Sequence, residues 1–454
     1  MISRLKRLES IHKQTILLGI FKAFDLLISF AITRMVFSYI DNTTLYGVWL
    51  TILSILNWFN LADFGIGNGL RNNLTDLLAR KKINEAREMV STAYYLLFKA
   101  VVIGIIIIST IQLFLDWDEI FNIRDEVISN RSIKLLFSIM IPAFFLRLWL
   151  STINAVAYAE QDAALGIIIQ LISNIMVLTA ILLLPYLVDW NKLFLLGIVY
   201  SVSYIVVGIL VNMFLFKKRY AAIRPSIKYV RKSFRSRLMG LSMRFFIIQI
   251  AGVVIFTTDN IIITQVLGAS EVVSYQLTYK VFSITTIVAG IILTPVWSAF
   301  THAYVIEDID FITKTLRRLI SYMIPLLAAV ILLIFISPYL VHIWIGQEIN
   351  ISLSLRLFMG LFVLVSTWNS IFAYFLNGVN KINLQLATSM AGALVNIPIS
   401  VALAHIFGNS GVILGTSISL LPFTFIGAIQ TYYVVKEMKI NRLMRDTTAN
   451  GEHG

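Results

Sequence analysis

Residues 62–94 read ADFGIGNGLRNNLTDLLARKKINEAREMVSTAY, and they follow the apolar stretch LYGVWLTILSILNWF at 45–59. The alternating glycines suggest a phosphate-binding loop, and residues 63–65 spell Asp-Phe-Gly, as in protein kinases. A dinucleotide loop follows a strand, however, and a kinase also needs a His-Arg-Asp catalytic loop, which this sequence lacks. We therefore exclude a nucleotide site. Because small residues let a chain bend and helices approach closely, the glycines predict a bend at the end of a membrane helix.

The segment after this bend has the pattern of an amphipathic helix. One helical stripe is apolar and consists of Leu70, Leu74, Leu77 and Leu78. The basic residues nearby are Arg80, Lys81, Lys82 and Arg87. This combination predicts an interfacial helix that lies under the membrane.

The composition of the whole chain is that of a membrane protein. Of 454 residues, 58% are hydrophobic and 13% are charged, whereas soluble chains are about a quarter charged. The mean hydropathy is +0.84. The absence of cysteine excludes disulfides and thiol chemistry, and the five histidines lack the spacing of metal ligands. We expect neither a metal nor an organic cofactor.

Apolar runs of about 20 residues, the length that spans a bilayer, recur along the chain. They predict an all-α integral membrane fold of twelve transmembrane helices, since the runs are too long and lack the alternation of barrel strands. The predicted helices lie at 15–37, 45–67, 91–115, 132–157, 164–187, 193–216, 241–266, 273–300, 319–343, 353–377, 384–407 and 412–435.

Lysine and arginine are distributed unequally between the predicted loops. Loops and tails on the side of the N-terminus carry 26 of the 37 basic residues, and the opposite loops carry three. The positive-inside rule then predicts that both termini are cytoplasmic. Nine of the 26 lie in residues 217–240, which have no acidic residue. We interpret this segment as a topology anchor that touches anionic lipid headgroups, not as a nucleic-acid surface.

The two halves of the sequence repeat with a shift of 227 residues. Residues 81–97 then align with 308–324, and Trp117 aligns with Trp344. Both halves enter the membrane from the same side, so we expect two six-helix lobes related by a pseudo-twofold axis along the membrane normal. The predicted parts are an N-terminal lobe (1–216), a basic cytoplasmic linker (217–240), a C-terminal lobe (241–435) and a cytoplasmic tail (436–454).

Residues 62–94 resemble the segment after the second helix of Wzx-type oligosaccharide flippases. These belong to the multidrug/oligosaccharidyl-lipid/polysaccharide exporter superfamily, and residues 266–282 resemble the connection between its seventh and eighth helices. The resemblance implies a multi-pass transporter of the bacterial inner membrane, not an enzyme. It implies flipping of an undecaprenyl-pyrophosphate-linked oligosaccharide of the O-antigen or polysaccharide type to the periplasmic leaflet. Polysaccharide polymerase machinery would be a further partner. The oligomeric state stays undetermined.

Ionisable residues inside the predicted helices are the candidate site, because each would cost about 3 kcal/mol facing lipid. The candidate cations for substrate phosphate are Lys22, Arg147, Lys280 and Arg244, with Arg147 the foremost since a guanidinium fork suits phosphate oxygens. The candidate cavity acids are Asp25, Asp259 and Asp63, of which Asp25 and Asp259 could bind H⁺ or Na⁺ in a coupled cycle. Structural pairing, such as Lys22 with Asp25 or Asp259 with Arg244 or Lys280, is the alternative.

Three other functions compete with this hypothesis. A cation-coupled multidrug or metabolite antiporter of the same superfamily is the first, although a cationic interior suits lipophilic cations poorly. A polysaccharide polymerase or ligase is the second, but the longest predicted outer loop of this chain, 116–131, is too short to serve as a catalytic loop. A peptidoglycan-precursor flippase is the third, and it would carry two further helices.

Overall fold

The computed structural model of the chain describes residues 2–122, 128–160, 162, 164–187, 191–379 and 381–451. The chain divides into two compact units, Met1–Ile250 and Ala251–Gly454. Within these described ranges the secondary structure is helical throughout, with short turns between helices.

The first unit is built from helices α1 to α10, with α10 running across the boundary between the units. The helices are α1 (Ile2–Ile40), α2 (Thr43–Trp58), α3 (Ile66–Ala79), α4 (Ile83–Phe114), α5 (Trp117–Ile120), α6 (Asn130–Leu150), α7 (Thr152–Ala159), α8 (Ala164–Leu187), α9 (Lys192–Lys217) and α10 (Lys232–Thr257). Helix α1 packs on α8, and α6 packs between α4 and α9.

The second unit contains the remaining helices. They are α11 (Asp259–Leu267), α12 (Glu271–Val305), α13 (Ile309–Ser321), α14 (Met323–Ile345), α15 (Leu353–Gly378), α16 (Asn383–Phe407) and α17 (Asn409–Gly451). Helix α17 packs on both α15 and α16, and α12 packs on α14 and α15.

In the described part of the chain, nine helical spans are long and apolar enough to cross a membrane. The number is ten if Ile250–Thr257 and Asp259–Leu267, which meet at an angle of 43°, form one broken span. Two predicted spans, at 15–37 and 45–67, are not in this set; the helix α2 at the second has only 16 residues. The count of twelve therefore stays a prediction.

Side-chain caps set the start of several helices. The side chains of Asn42, Ser129, Asn191, Asp308 and Ser352 each accept a hydrogen bond from a backbone N–H in the first turn. Such caps satisfy N–H groups that have no partner within the helix. The local sequence therefore determines where these helices start.

The bend predicted at the glycines is confirmed. After α2, a 3₁₀ turn runs over Phe59–Asp63, and Phe64 and Gly65 then take left-handed conformations with φ of 47° and 70°. The Asp63 carboxylate accepts a hydrogen bond from the Gly65 backbone N–H at 2.7 Å. Asp63 therefore stabilises the turn itself, since a short acidic side chain can satisfy the backbone two residues on.

Helix α3 differs from the expected interfacial helix in what covers its apolar stripe. Leu70, Leu74 and Leu77 are no more than 1% exposed. They pack in one hydrophobic cluster with residues of α4 and α7, such as Met89 and Val156. The stripe is thus part of the protein core, and the helix does not need lipid to cover it.

Two contacts between neighbouring helices stabilise the second unit, and the first is a close approach of α16 and α17. A Cβ added at Gly415 would lie 2.5 Å from Ser400 Oγ and 2.7 Å from Ser400 Cα, and one at Gly411 would lie 2.0 Å from the Leu403 carbonyl oxygen. Gly411 and Gly415 form a G-x-x-x-G pattern, which lets helix backbones approach closely. The contact of α16 with α17 therefore depends on glycine at these positions.

The second contact joins α15 to α14 at a proline inside α14. Pro338 has no N–H, so the carbonyl of Ile334 four residues earlier loses its helical partner. Arg356 of α15 donates from Nη1 to that carbonyl at 2.8 Å. A basic residue near a helix end thus repairs a broken hydrogen bond in the neighbouring helix.

Candidate functional site

The first unit contains a continuous polar network that joins four of its helices. Arg147 of α6 donates from Nη2 to Gln170 Oε1 at 3.3 Å, and Gln170 donates to Asn174 Oδ1 at 3.1 Å. Asn174, one turn further along α8, donates to Asp25 Oδ1 of α1 at 2.7 Å. The network therefore links the foremost candidate cation to a candidate acid through two amides.

Tyr204 of α9 closes this network. Its hydroxyl donates to Asn174 Oδ1 at 2.8 Å and lies 3.1 Å from Gln170 Nε2. The Arg147 guanidinium makes a cation–π contact with the Tyr204 ring, with Cζ 3.7 Å from the ring centroid. A stacked, hydrogen-bonded guanidinium keeps a fixed orientation, because its planar fork loses little freedom when it binds.

A cavity of about 190 Å³ opens beside Arg147. Its polar lining includes Asn57, Arg147, Ser201 and Tyr204, and Tyr200 and Phe144 contribute aromatic walls. Because Gln170 and Tyr204 are neutral, they orient the guanidinium without cancelling its charge. The arrangement can offer a positive charge and several hydrogen bonds to an anionic group.

The other N-terminal candidates occupy different surroundings. The Lys22 side chain is exposed, whereas Asp25 is half-buried and accepts from Asn174. Asp63 lies at the turn described above. The Asn57 side chain of α2 contributes to the cavity beside Arg147.

The second unit contains its own buried polar cluster around Asp259. Asp259, 7% exposed at the start of α11, accepts from the Tyr275 hydroxyl, and Thr416 Oγ1 donates to its Oδ1 at 3.0 Å. Asn396 of α16 donates to Thr416 Oγ1 at 3.3 Å and to Ser419 Oγ at 3.4 Å. Hydroxyls from α12 and α17 thus surround the carboxylate.

Lys280, one of the two cations predicted as partners of Asp259, lies near an aromatic ring of α14. Lys280 Nζ lies 6.0 Å from the centroid of the Trp344 ring, on the helix that follows α13. The side chain of Arg244 lies outside the described residues.

A cavity of about 260 Å³ lies in the second unit between α10, α12 and α15. Hydroxyl groups face it from Tyr279, Ser283, Thr286, Ser366 and Ser370. Phe256 and Phe362 add aromatic faces. Such a lining, rich in hydroxyls and rings, suits a neutral polar group better than a phosphate.

Arg147, Asp25 and Asp259 are candidates from the sequence, but the sequence did not single out Gln170, Tyr204, Tyr275 or Thr416 as their partners. The sequence also offers four asparagines in apolar helices as interhelical hydrogen bonders, Asn154, Asn174, Asn369 and Asn396. Asn174, Asn369 and Asn396 do bond between helices, to Asp25, the Leu420 carbonyl and Thr416. The buried Asn154 Oδ1 has no hydrogen-bond partner in the described part of the chain. Gln170 and Tyr204 carried no signal of their own, because a lone amide or tyrosine in an apolar helix has many structural uses.

Comparison with known proteins gives relatives of low sequence identity along most of the chain. No protein-family model matches the chain. A proposed O-antigen transporter of Salmonella typhi is 22% identical over 402 residues, covering 87% of this chain and 89% of that protein. A proposed O-antigen export protein of Yersinia pseudotuberculosis is 22% identical over 418 residues, covering 87% of this chain and 91% of that protein.

Solved structures show a similar fold. An inward-facing multidrug resistance MATE family transporter of the MOP superfamily superposes with a TM-score of 0.77 at 13% identity, covering 91% of this chain and 95% of that one. A MOP superfamily transporter from Pyrococcus furiosus, described as having a binding pocket of reversed polarity, gives a TM-score of 0.67 at 13% identity over 94% and 96% of the two chains. The chain is thus similar in sequence to proteins named as O-antigen transporters, and it shares the fold of MATE transporters of the MOP superfamily.

Proposed function

We propose that the protein flips an oligosaccharide linked to undecaprenyl pyrophosphate from the cytoplasmic to the periplasmic leaflet of the bacterial inner membrane. The observation that carries the proposal is the orientation of Arg147. Two neutral partners, Tyr204 and Gln170, hold its guanidinium at a cavity in the membrane-spanning part of the first unit. The pyrophosphate is the part of the substrate with the largest desolvation free energy, and a fixed guanidinium offsets that cost.

The cavity of the second unit supports the sugar part of the proposal. Sugars present hydroxyls and apolar ring faces, and this cavity offers hydroxyls such as Ser283 and Ser366 beside rings such as Phe256 and Phe362. Aromatic faces and hydroxyls are groups that bind sugars without a net charge. The proposed assignment is therefore phosphate in the first unit and sugar in the second.

The proposed architecture is the one expected from sequence: twelve transmembrane helices in two lobes, with cytoplasmic termini. Alternating access would expose the sites to the two leaflets in turn, and the substrate's differential affinity would bias the two states. Proton or sodium coupling through Asp25 or Asp259 is part of the proposal, since Asp25 accepts from the Asn174 amide and Asp259 accepts from the hydroxyls of Tyr275 and Thr416. A polysaccharide polymerase would take up the flipped repeat unit.

Reconstituted vesicles test the function directly. A fluorescent oligosaccharide on undecaprenyl pyrophosphate, placed in the outer leaflet, should become protected from a membrane-impermeant quencher only in vesicles that contain the protein. Protection equal to that in protein-free vesicles would contradict flipping. Deletion in the host should in parallel leave lipid-linked repeat units on the cytoplasmic side.

The superposition with multidrug transporters favours one second candidate, an antiporter on the same fold. Its expected phenotype is opposite: deletion would raise sensitivity to growth inhibitors and leave the surface glycan unchanged. The two phenotypes separate the candidates in a single strain.

A further inference from the structure

We propose that a groove beside the basic linker receives the pyrophosphate head and the first part of the polyprenyl chain before transport. The groove, about 930 Å³ in volume, is formed within the first unit by Trp58, Tyr95, Lys99, Ile103, Lys232 and Arg235. We call it the linker groove. The inference rests on the proposed function and adds a loading site that is separate from the cavity beside Arg147.

The linker that carries two of the cations is fastened to α4. The backbone N–H of Ser226 donates to Ser91 Oγ at 3.1 Å, and that of Arg231 donates to Thr92 Oγ1 at 3.1 Å. Arg231 also forms an ion pair with Glu88 at 2.9 Å. These contacts hold the linker and the start of α10 in a fixed position, so the cations are pre-organised.

The mouth of the groove is positively charged. Arg231 is paired with Glu88, but the side chains of Lys99, Lys232 and Arg235 are exposed. Lys99 Nζ lies 4.6 Å from the centroid of the Tyr95 ring, which bounds the same groove. Three exposed cations match the two negative charges of a pyrophosphate diester better than the single charge of a phospholipid phosphodiester.

The part of the groove furthest from the charged mouth has an apolar wall. Ile103 and Ile107 of α4 are 55% and 49% exposed. At 1.5 Å per residue, Ile107 lies about 12 Å along the helix from Lys99. An occupant with a doubly charged head and a hydrocarbon chain satisfies both parts of the groove, and a polyprenyl pyrophosphate has that chemistry.

Binding of undecaprenyl pyrophosphate to the purified full-length protein tests the cationic mouth. We expect K232Q/R235Q to weaken binding by about three- to tenfold, because each exposed charge pair contributes up to about 1 kcal/mol. The control K218Q/K228Q removes two exposed linker cations that do not line the groove. Native mass spectrometry with matched amounts of phosphatidylglycerol supplies the comparison. Equal weakening for both lipids would overturn the assignment to pyrophosphate.

The apolar wall has its own test, which does not depend on charge. I103W places a bulky ring in the groove and should weaken binding of the same lipid. I106W adds the same ring to an exposed position of α4 outside the groove lining and should leave binding unchanged. Size-exclusion profiles check that all variants fold. Wild-type binding that neither groove variant alters would refute the loading site alone, whereas no binding by the wild type would refute the proposed function.

Discussion

The guanidinium of Arg147 lies over the ring of Tyr204, with Cζ 3.7 Å from the ring centroid. Within the described residues, Gln170 Oε1 accepts a hydrogen bond from Arg147 Nη2 at 3.3 Å. The charge is therefore oriented by neutral groups and stays available to an anion. This is the geometry expected of a residue that meets a phosphate inside a membrane protein.

Replacement of Arg147 by lysine should impair translocation while the protein still folds. Lysine keeps the charge but loses the planar fork and the stacking on Tyr204. Loss of a charge-assisted contact costs roughly 1.5–3 kcal/mol, so we expect at least about a tenfold lower initial rate in the vesicle assay. Arg34→Lys, an exposed arginine of α1, is the matched control. Rates equal to wild type in Arg147→Lys would remove Arg147 from the site.

Asp25→Asn tests ion coupling. The asparagine side chain still offers an oxygen to Asn174, which donates to Asp25 Oδ1 at 2.7 Å, so the helix contact should survive. The ionisable group is lost, and we expect transport that no longer responds to an imposed H⁺ or Na⁺ gradient. Asp259→Asn makes the same change in the second unit. An undiminished gradient response in both variants would contradict coupling through either carboxylate.

Arg356→Met should destabilise the second unit through Pro338. The Ile334 carbonyl, which is partly buried, would lose the donor that Arg356 supplies at 2.8 Å, and leaving such a group unsatisfied costs up to about 1–3 kcal/mol. Pro338→Ala restores an N–H to the helix, so the loss caused by Arg356→Met should be smaller in that background. Thermal denaturation in detergent of the four proteins forms a double-mutant cycle. Additive effects would show that the arginine does not serve the proline break.

Gly415→Ala should lower the thermal stability of the protein. The new Cβ would lie 2.5 Å from Ser400 Oγ and 2.7 Å from Ser400 Cα, so the helices α16 and α17 would have to separate. Overpacking of this kind costs roughly 1–3 kcal/mol. Gly252→Ala is the control, because a Cβ there meets no heavy atom within 4 Å. A midpoint equal to that of Gly252→Ala would contradict the proposed close packing.

The sequence by itself determined which segments are helical, most of the apolar spans among them, and where the chain bends. Apolar length, the basic bias of one set of loops, the caps and the left-handed turn at Phe64 and Gly65 are all local properties. The free energy of burying an apolar run or satisfying a helix end depends on residues within a few turns, so it can be read along the chain.

The tertiary structure alone decided the partners of the buried charges. Asn174 lies 149 residues from Asp25, and Arg356 lies 22 residues from the carbonyl it caps. The burial of the α3 stripe within the protein was likewise not evident from its periodicity, which is the same for a lipid-facing helix. These outcomes depend on which helices become neighbours and how each is rotated about its axis, and no local pattern encodes that choice.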